Sequence, residues 1–229
     1  MKIAYIQKTS FIDYPGKICA IVFTQGCNFR CPYCHNPELV FPDQFSPAVS
    51  EEEFFGFLDR RKNRLDAVSI TGGEPTMQGD LLGFMQGIKE KGFLLKLDSN
   101  GTRPDILNEI IHEGLVDYLA MDVKAPLERY ADVVEAPVDI SDIESSIHAI
   151  MTSGIRYEFR TTLSRSLLTP DDIVDIGKLI EGASQYFLQR FTPSKHVDTG
   201  FINEHSFTDK EIDNLVPILQ GYVKDVQVR

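Results

Sequence analysis

Three of the chain's four cysteines, Cys27, Cys31 and Cys34, fall within the short stretch "QGCNFRCPYCHN" (25–36). Clustered thiols in a chain otherwise poor in them bind metal or do redox chemistry; they do not form a secreted disulfide framework. Thiolates hold zinc or iron–sulfur clusters, and a closed site usually takes four ligands. The remaining cysteine, Cys19, lies six residues before Gln25 in an apolar run. At ~3.3 Å per residue of strand, that places it about 20 Å from the loop, and it reads as a small core residue. His35 adjoins Cys34, whereas closed zinc sites space their ligands by two or more residues. The reading left is a cube of four irons with three held by protein and one open to an external ligand. An open coordination position marks a catalytic site, by the logic of catalytic zinc. A closed zinc module or an iron–sulfur electron carrier is the non-enzymatic alternative.

Other polar clusters could complete such a site. "TGGEP" (71–75) and "LDSNG" (97–101) each follow an apolar run. Asp122 and Lys124 are two apart, so on a strand they share a face. Opposite charges ending a buried strand are costly unless paired or functional. The plain alternatives are a strand-to-helix turn for "TGGEP" and a simple ion pair for Asp122 and Lys124.

The elements that must position these residues alternate. Apolar runs at 18–24, 67–71, 93–98, 118–123, 157–163 and 186–191 predict buried strands. Segments with helical spacing follow at 51–62, 80–91, 103–113, 141–152, 170–182 and 208–218. Ser50 and Thr169-Pro170 mark helix starts; Gly92 and Gly114 mark helix ends. Six strand–helix units imply an α/β fold of parallel strands with right-handed crossovers, either an open doubly wound sheet or an incomplete (β/α)6 barrel. Runs at 2–7 and 223–228 predict extra edge strands at both termini, within a single domain spanning 1–229. The polar clusters sit at the C-terminal ends of successive strands, the face on which parallel α/β folds build their sites.

Composition sets the outer bounds. The chain has 229 residues, 42% hydrophobic and 25% charged, with a net charge of −11. That acidity argues against a nucleic-acid partner and reads as solubility, with a docking surface for a basic partner as the alternative. "MKIAYIQK" lacks the apolar segment of a secretory leader, and "ICAIVF" is far too short to span a membrane. A cytoplasmic protein is predicted.

Cys-x-x-x-Cys-x-x-Cys, with Tyr33 just before the last cysteine, resembles the cluster motif of radical S-adenosylmethionine enzymes. "TGGEP" resembles that superfamily's glycine-rich motif. "FIDYPGKICAIVFTQGCNFRCPYCHNPE" (11–38) is similar to the N-terminal stretch of glycyl-radical-enzyme activating enzymes. "LDSNG" and "MDVK" (121–124) resemble their later motifs. The likeness is good over about residues 8–125 and weak beyond.

The resemblance implies a 4Fe-4S cluster on Cys27, Cys31 and Cys34, with S-adenosylmethionine on the open iron. One electron would cleave the sulfonium to a 5′-deoxyadenosyl radical, which takes hydrogen from a glycine of a partner enzyme. The cofactor supplies that chemistry and the protein supplies placement. Gly72, Gly73 and Glu74 would offer backbone groups to the methionine amino group, and Tyr33 and His35 would contact the adenine. Lys124 would meet the methionine carboxylate or the peptide. Lys124 and Asp122 would be the catalytic pair, Ser99, Asn100 and Asp122 would join Lys124 in binding the cofactor, and Asp98, Ser99 and Asp122 would hold a monovalent cation. On the sixth strand of the barrel this chain reads "FLQRF" where some activases have a histidine, leaving Gln189 or Arg190 as substitutes; Arg160 is a further candidate. Residues 36–66 contain no cysteine, which excludes the activases with a ferredoxin-like insert. "TSFIDYPGK" (9–17), with Tyr14 where formate-lyase activases read DGPG, resembles activators of anaerobic ribonucleotide reductase. A pyruvate formate-lyase activase and a radical enzyme with a small-molecule substrate remain the alternatives. Flavodoxin or ferredoxin is the implied electron donor.

Overall fold

A computed structural model of the chain describes residues 1–193 and 199–229. The predicted apolar runs form β2 (Cys19–Thr24), β3 (Ala67–Gly72), β4 (Leu94–Ser99), β5 (Tyr118–Asp122), β6 (Arg156–Leu163) and β7 (Tyr186–Arg190). Both edge strands are present, as β1 (Ile3–Ser10) and β8 (Val226–Val228). The eight strands form one sheet in strictly sequential order. β1 pairs antiparallel with β2, and every later pair is parallel. β2 and β3 are buried on both faces at most positions, as expected where helices cover a parallel sheet.

The helices are α1 (Glu51–Arg61), α2 (Leu81–Glu90), α3 (Pro104–His112), α4 (Tyr130–Val134), α5 (Ile140–Thr152), α6 (Pro170–Leu179) and α7 (Asp209–Leu219). Ser50 caps α1 by accepting from the Glu53 N–H at 3.1 Å. Thr169 and Asp172 form a reciprocal capping box at α6, and Thr208 and Glu211 form one at α7. The short α4 has no counterpart among the sequence expectations. Lys124 also departs from them. β5 stops at Asp122, so Lys124 stands on the segment just past the strand, two residues before Pro126, which cannot donate to a ladder.

The sheet curls without closing. β1 and β8 lie at opposite ends of the strand order. Yet His35, after β2, stacks on Phe191, after β7, at 5.4 Å between ring centroids. Five strand spacings of a flat sheet would put those strands about 24 Å apart. The strand ends therefore converge on one mouth, giving the incomplete barrel. Cys19, at the start of β2, packs away from that mouth in a small cluster with Tyr14, Ile21, Ala67 and Tyr118. Burial, its main influence, pushes the Cys19 thiol up to about 11.

Candidate active site

The cysteine loop leaves β2 and is tied down along its length. Gly26 N–H donates to the Leu39 carbonyl at 2.7 Å, and Arg30 N–H donates to the Val134 carbonyl of α4 at 2.9 Å. The Arg30 guanidinium donates to the carbonyls of Cys27 and Phe29, each at 2.7 Å. The fixed loop turns Cys27, Cys31 and Cys34 into a single cavity of about 470 Å³. All three thiols are free. Burial pushes Cys27 up to about 12 and raises Cys31 and Cys34; the nearby Lys124 charge works against burial at each. The Phe29 N–H donates to Cys27 Sγ at 3.4 Å, which favours a thiolate. Among the described residues, no three His, Cys, Asp or Glu side chains converge on a point able to hold one metal ion. Ligands of a four-iron cube bind three different irons and stand further apart than the ligands of a single ion. Three thiols lining one cavity are the donor type that holds iron–sulfur clusters.

The glycine turn after β3 packs directly on this loop. A Cβ on Gly73 would stand 2.0 Å from the Gly26 carbonyl oxygen, and one on Gly72 would stand 2.3 Å from the Thr24 backbone nitrogen. The Gly73 N–H donates to the Thr24 carbonyl at 2.9 Å, and the Glu74 N–H donates to the Gly26 carbonyl at 2.7 Å. The first demand for glycine here is chain against chain. With those N–H groups engaged, carbonyl oxygens are the groups of this turn suited to an ammonium. The Glu74 carboxylate is buried and serves a different purpose. It accepts from the Thr76 N–H (3.0 Å), the Thr76 hydroxyl (2.6 Å), the Ser99 hydroxyl (2.9 Å) and the Asn100 N–H (2.7 Å). It therefore pins the end of β4 to the glycine turn. The Asn100 side chain is likewise committed, donating to Asn28 and accepting from Thr102.

Beyond the turn, opposite charges two residues apart recur on three successive strands or just past their ends: Lys96 and Asp98 on β4, Asp122 at the end of β5 with Lys124 after it, and Glu158 and Arg160 on β6. Arg160 Nε donates to Asp122 Oδ1 at 2.8 Å, and its terminal nitrogen donates to Asp98 Oδ2 at 3.0 Å. Lys96 bonds the other oxygen of Asp98, and Lys124 Nζ lies 3.3 Å from the other oxygen of Asp122. Burial alone would raise Asp122, but the Arg160 and Lys124 charges outweigh it and bring its pKa to about 2. Asp98 is lowered for the same reason, against burial, by Arg160 and Lys96. The resemblance implied a monovalent cation for Asp98, Ser99 and Asp122. The Arg160 guanidinium lies between the two carboxylates, and the Ser99 hydroxyl is held by Glu74. Lys96, Glu158 and Arg229, the last bonded to Glu158 at 3.1 and 3.2 Å, are absent from the sequence expectations. Their signal was the charge alternation in "LKLD" and "EFR", inside otherwise apolar runs.

At the opposite wall, the buried Tyr33 ring faces Lys124 Nζ at 5.8 Å. His35 is exposed at the rim, and its Nε2 lies 2.9 Å from the Thr192 carbonyl, which makes that nitrogen a donor. Of the two residues left open on β7, Gln189 lines the cavity and Arg190 points outward to Asp209 at 2.7 Å. Every residue singled out for the site from the sequence faces this one cavity except Arg190. Asp13, Phe29, Thr71 and Thr162 also line it without having been singled out; Asp13 stands inside the "FIDYPG" stretch.

The Radical SAM superfamily pattern matches residues 21–181. The chain belongs to this superfamily. Radical SAM enzymes use a 4Fe-4S cluster and S-adenosylmethionine, and this chain is an enzyme of that class. It is 36% identical over 225 residues to "Putative glycyl-radical enzyme activating enzyme MJ1227" of Methanocaldococcus jannaschii, covering 96% of this chain and 92% of that protein. It is 31% identical over 128 residues to the pyruvate formate-lyase-activating enzyme of Clostridium pasteurianum, covering 54% of this chain and 52% of that one. Among solved structures, Streptococcus suis SuiB bound to S-adenosylmethionine superposes with a TM-score of 0.67 at 13% identity. That match covers 91% of this chain but 49% of SuiB, so the chain spans about half of SuiB, and the likeness is one of fold. No helix among the described residues is long and apolar enough to cross a membrane.

Proposed function

We propose that this radical SAM enzyme activates a glycyl radical enzyme, with anaerobic ribonucleotide reductase as its partner. One observation carries the reading: three free thiols, the glycine turn and the charged strand ends meet in one cavity of a barrel that does not close. A partner's glycine-bearing loop requires such an opening. Phe11 and Ile12 are 72% and 84% exposed beside Asp13, which lines the cavity, and they offer an apolar rim to a protein surface. The relative covering 96% of the chain is named as a glycyl-radical enzyme activating enzyme, with no partner in its name.

In this reading Cys27, Cys31 and Cys34 hold the cluster. Carbonyl oxygens of the Gly72–Gly73 turn accept from the methionine ammonium. Lys124 supplies positive charge to the carboxylate end, and Asp122 holds Lys124 in place. Tyr33, His35 and Gln189 border the adenosyl side, while Glu74, Ser99 and Asn100 brace the turn. Once bound and given an electron by a flavodoxin- or ferredoxin-type donor, the cofactors held by these residues would supply 5′-deoxyadenosyl radical chemistry. The protein's part is to hold the target glycine close and keep water away. The chain acts as one unit, since all eight strands share one sheet.

The test is anoxic. Reconstituted, reduced protein is mixed with S-adenosylmethionine and, separately, each glycyl radical enzyme of its own organism. A glycyl doublet in electron paramagnetic resonance with the reductase supports the proposal, and a doublet only with a formate-lyase changes the partner. Steady 5′-deoxyadenosine release with no doublet from any of them overturns the activase reading in favour of a small-molecule substrate.

A further inference from the structure

We propose that Arg160 is a built-in counter-cation: its guanidinium replaces an exchangeable alkali ion between Asp98 and Asp122, and fixes the positive charge that receives the carboxylate of S-adenosylmethionine. The resemblance to activases implied an ion held by these carboxylates, and the side chains here do not fit one. Asp98 gives one oxygen to Lys96 and the other to Arg160. Asp122 gives one oxygen to Arg160 and the other faces Lys124. All four carboxylate oxygens thus face a protein cation, and the Ser99 hydroxyl donates to Glu74. An alkali ion needs several oxygens turned toward it. Here it would find them engaged and would meet three like charges.

The placement is built by the sheet. Asp122 and Arg160 are direct neighbours across β5 and β6, and Asp98 lies one strand further on, in β4. The guanidinium spans both because its nitrogens form a planar fork, which an ammonium lacks. Its side chain is 12% exposed and lines the cavity, so it is held from behind and open in front. Glu158, 3.9 Å away, is neutralised by Arg229. Within this network Lys96, Arg160 and Lys124 stand against Asp98 and Asp122, an excess of one positive charge; the buried Glu74 carboxylate also lines the cavity but belongs to the glycine turn. Removal of Arg160 erases that excess and leaves two buried carboxylates with one oxygen each unpaired. Such a gap is one that sodium or potassium could refill.

The inference stands apart from the identity of the partner, and its test contains none. Anoxically reconstituted protein is dialysed against labelled S-adenosylmethionine at constant ionic strength, with potassium, sodium or choline as the only added cation. The wild type should bind equally, within about twofold, in all three; choline cannot enter a buried oxygen site. Arg160→Met in choline should bind at least ~30-fold more weakly, the cost of breaking a buried charge pair. Potassium or sodium should restore part of that loss and raise the melting temperature of the cluster-free variant. Arg160→Lys should keep a weaker but cation-independent affinity. Wild-type binding that rises tenfold from choline to potassium overturns the inference on its own, without any variant having to fold. So does an Arg160→Met protein that binds as the wild type does in choline. An absence of binding in every buffer overturns it together with the cofactor assignment, which separates the two failures.

Discussion

Glu74→Gln tests whether the buried carboxylate, and not the glycines alone, fixes the shape of the cofactor turn. Glu74 is 1% exposed and receives four donors, three on Oε1 and one on Oε2. The two hydroxyls can turn to accept, but the Thr76 and Asn100 N–H groups only donate, and each sits on a different carboxylate oxygen, so a group carrying its own N–H cannot match both. In one orientation the glutamine amide would face the Asn100 N–H, donor against donor; in the other it would face the Thr76 N–H and two hydroxyls. At least one backbone N–H is left unsatisfied and the charge assistance of the others is lost, a cost of about 2–4 kcal/mol. For a chain of this length, that lowers the melting temperature by about 5–12 °C. The assay is thermal unfolding of the cluster-free protein by circular dichroism, paired with S-adenosylmethionine dialysis of the reconstituted one. Affinity should fall while iron content, set by the cysteine loop, stays near that of the wild type. A melting temperature within about 1 °C of the wild type would refute the reasoning, because four buried donors cannot lose a carboxylate for nothing.

The other expectations concern the same walls. Gly73→Ala puts a Cβ 2.0 Å from a backbone oxygen of Gly26, which no rotamer can relieve. It should cost about 2–3 kcal/mol in urea unfolding. Gly83→Ala in α2, where a Cβ meets nothing within 4 Å, should be neutral or stabilising by up to about 1 kcal/mol. Asp122 has its pKa brought from an ordinary 3.8 to about 2, burial being outweighed by Arg160 and Lys124. Its contribution to stability is therefore complete above pH 3.8 and is lost as pH falls through 2. Asp122→Asn should flatten the melting-temperature profile in that window while lowering stability at neutral pH, where Arg160 and Lys124 lose a partner. Cys31→Ala should abolish iron retention on anoxic reconstitution. Cys19→Ala, at the far end of β2, should retain iron near the wild-type level, and cluster loss in that variant would contradict the strand geometry.

Much of the site was legible because its signals are local. Three cysteines within a few residues of a strand end, and a glycine pair at the end of the next, depend on neighbours along the chain. The alternation of apolar runs with helical spacing depends on them as well. Each strand's inward face follows from its period of two, as for Lys96 and Asp98 on β4 and Glu158 and Arg160 on β6; Lys124 meets Asp122 from the segment past β5, where that period no longer holds. What lay hidden was the relation between strands. "EFR" marks Arg160 as inward, yet nothing in its surroundings says that it reaches Asp122, 38 residues earlier, and Asp98, 62 residues earlier. The role of Glu74 was hidden in the same way, since its donors Ser99 and Asn100 come from the next strand. By itself, then, the sequence determined the ligand types, the strand ends that carry them and the superfamily they resemble. Only the pairing order and register of the strands decided which charges meet, setting Arg160 beside Asp122 and one strand from Asp98; the curl of the sheet then brought the cysteine loop to the far strands. Chain geometry sets which face a side chain takes, but its neighbour depends on which strands pair and in what register, and its partners across the barrel on how those strands twist.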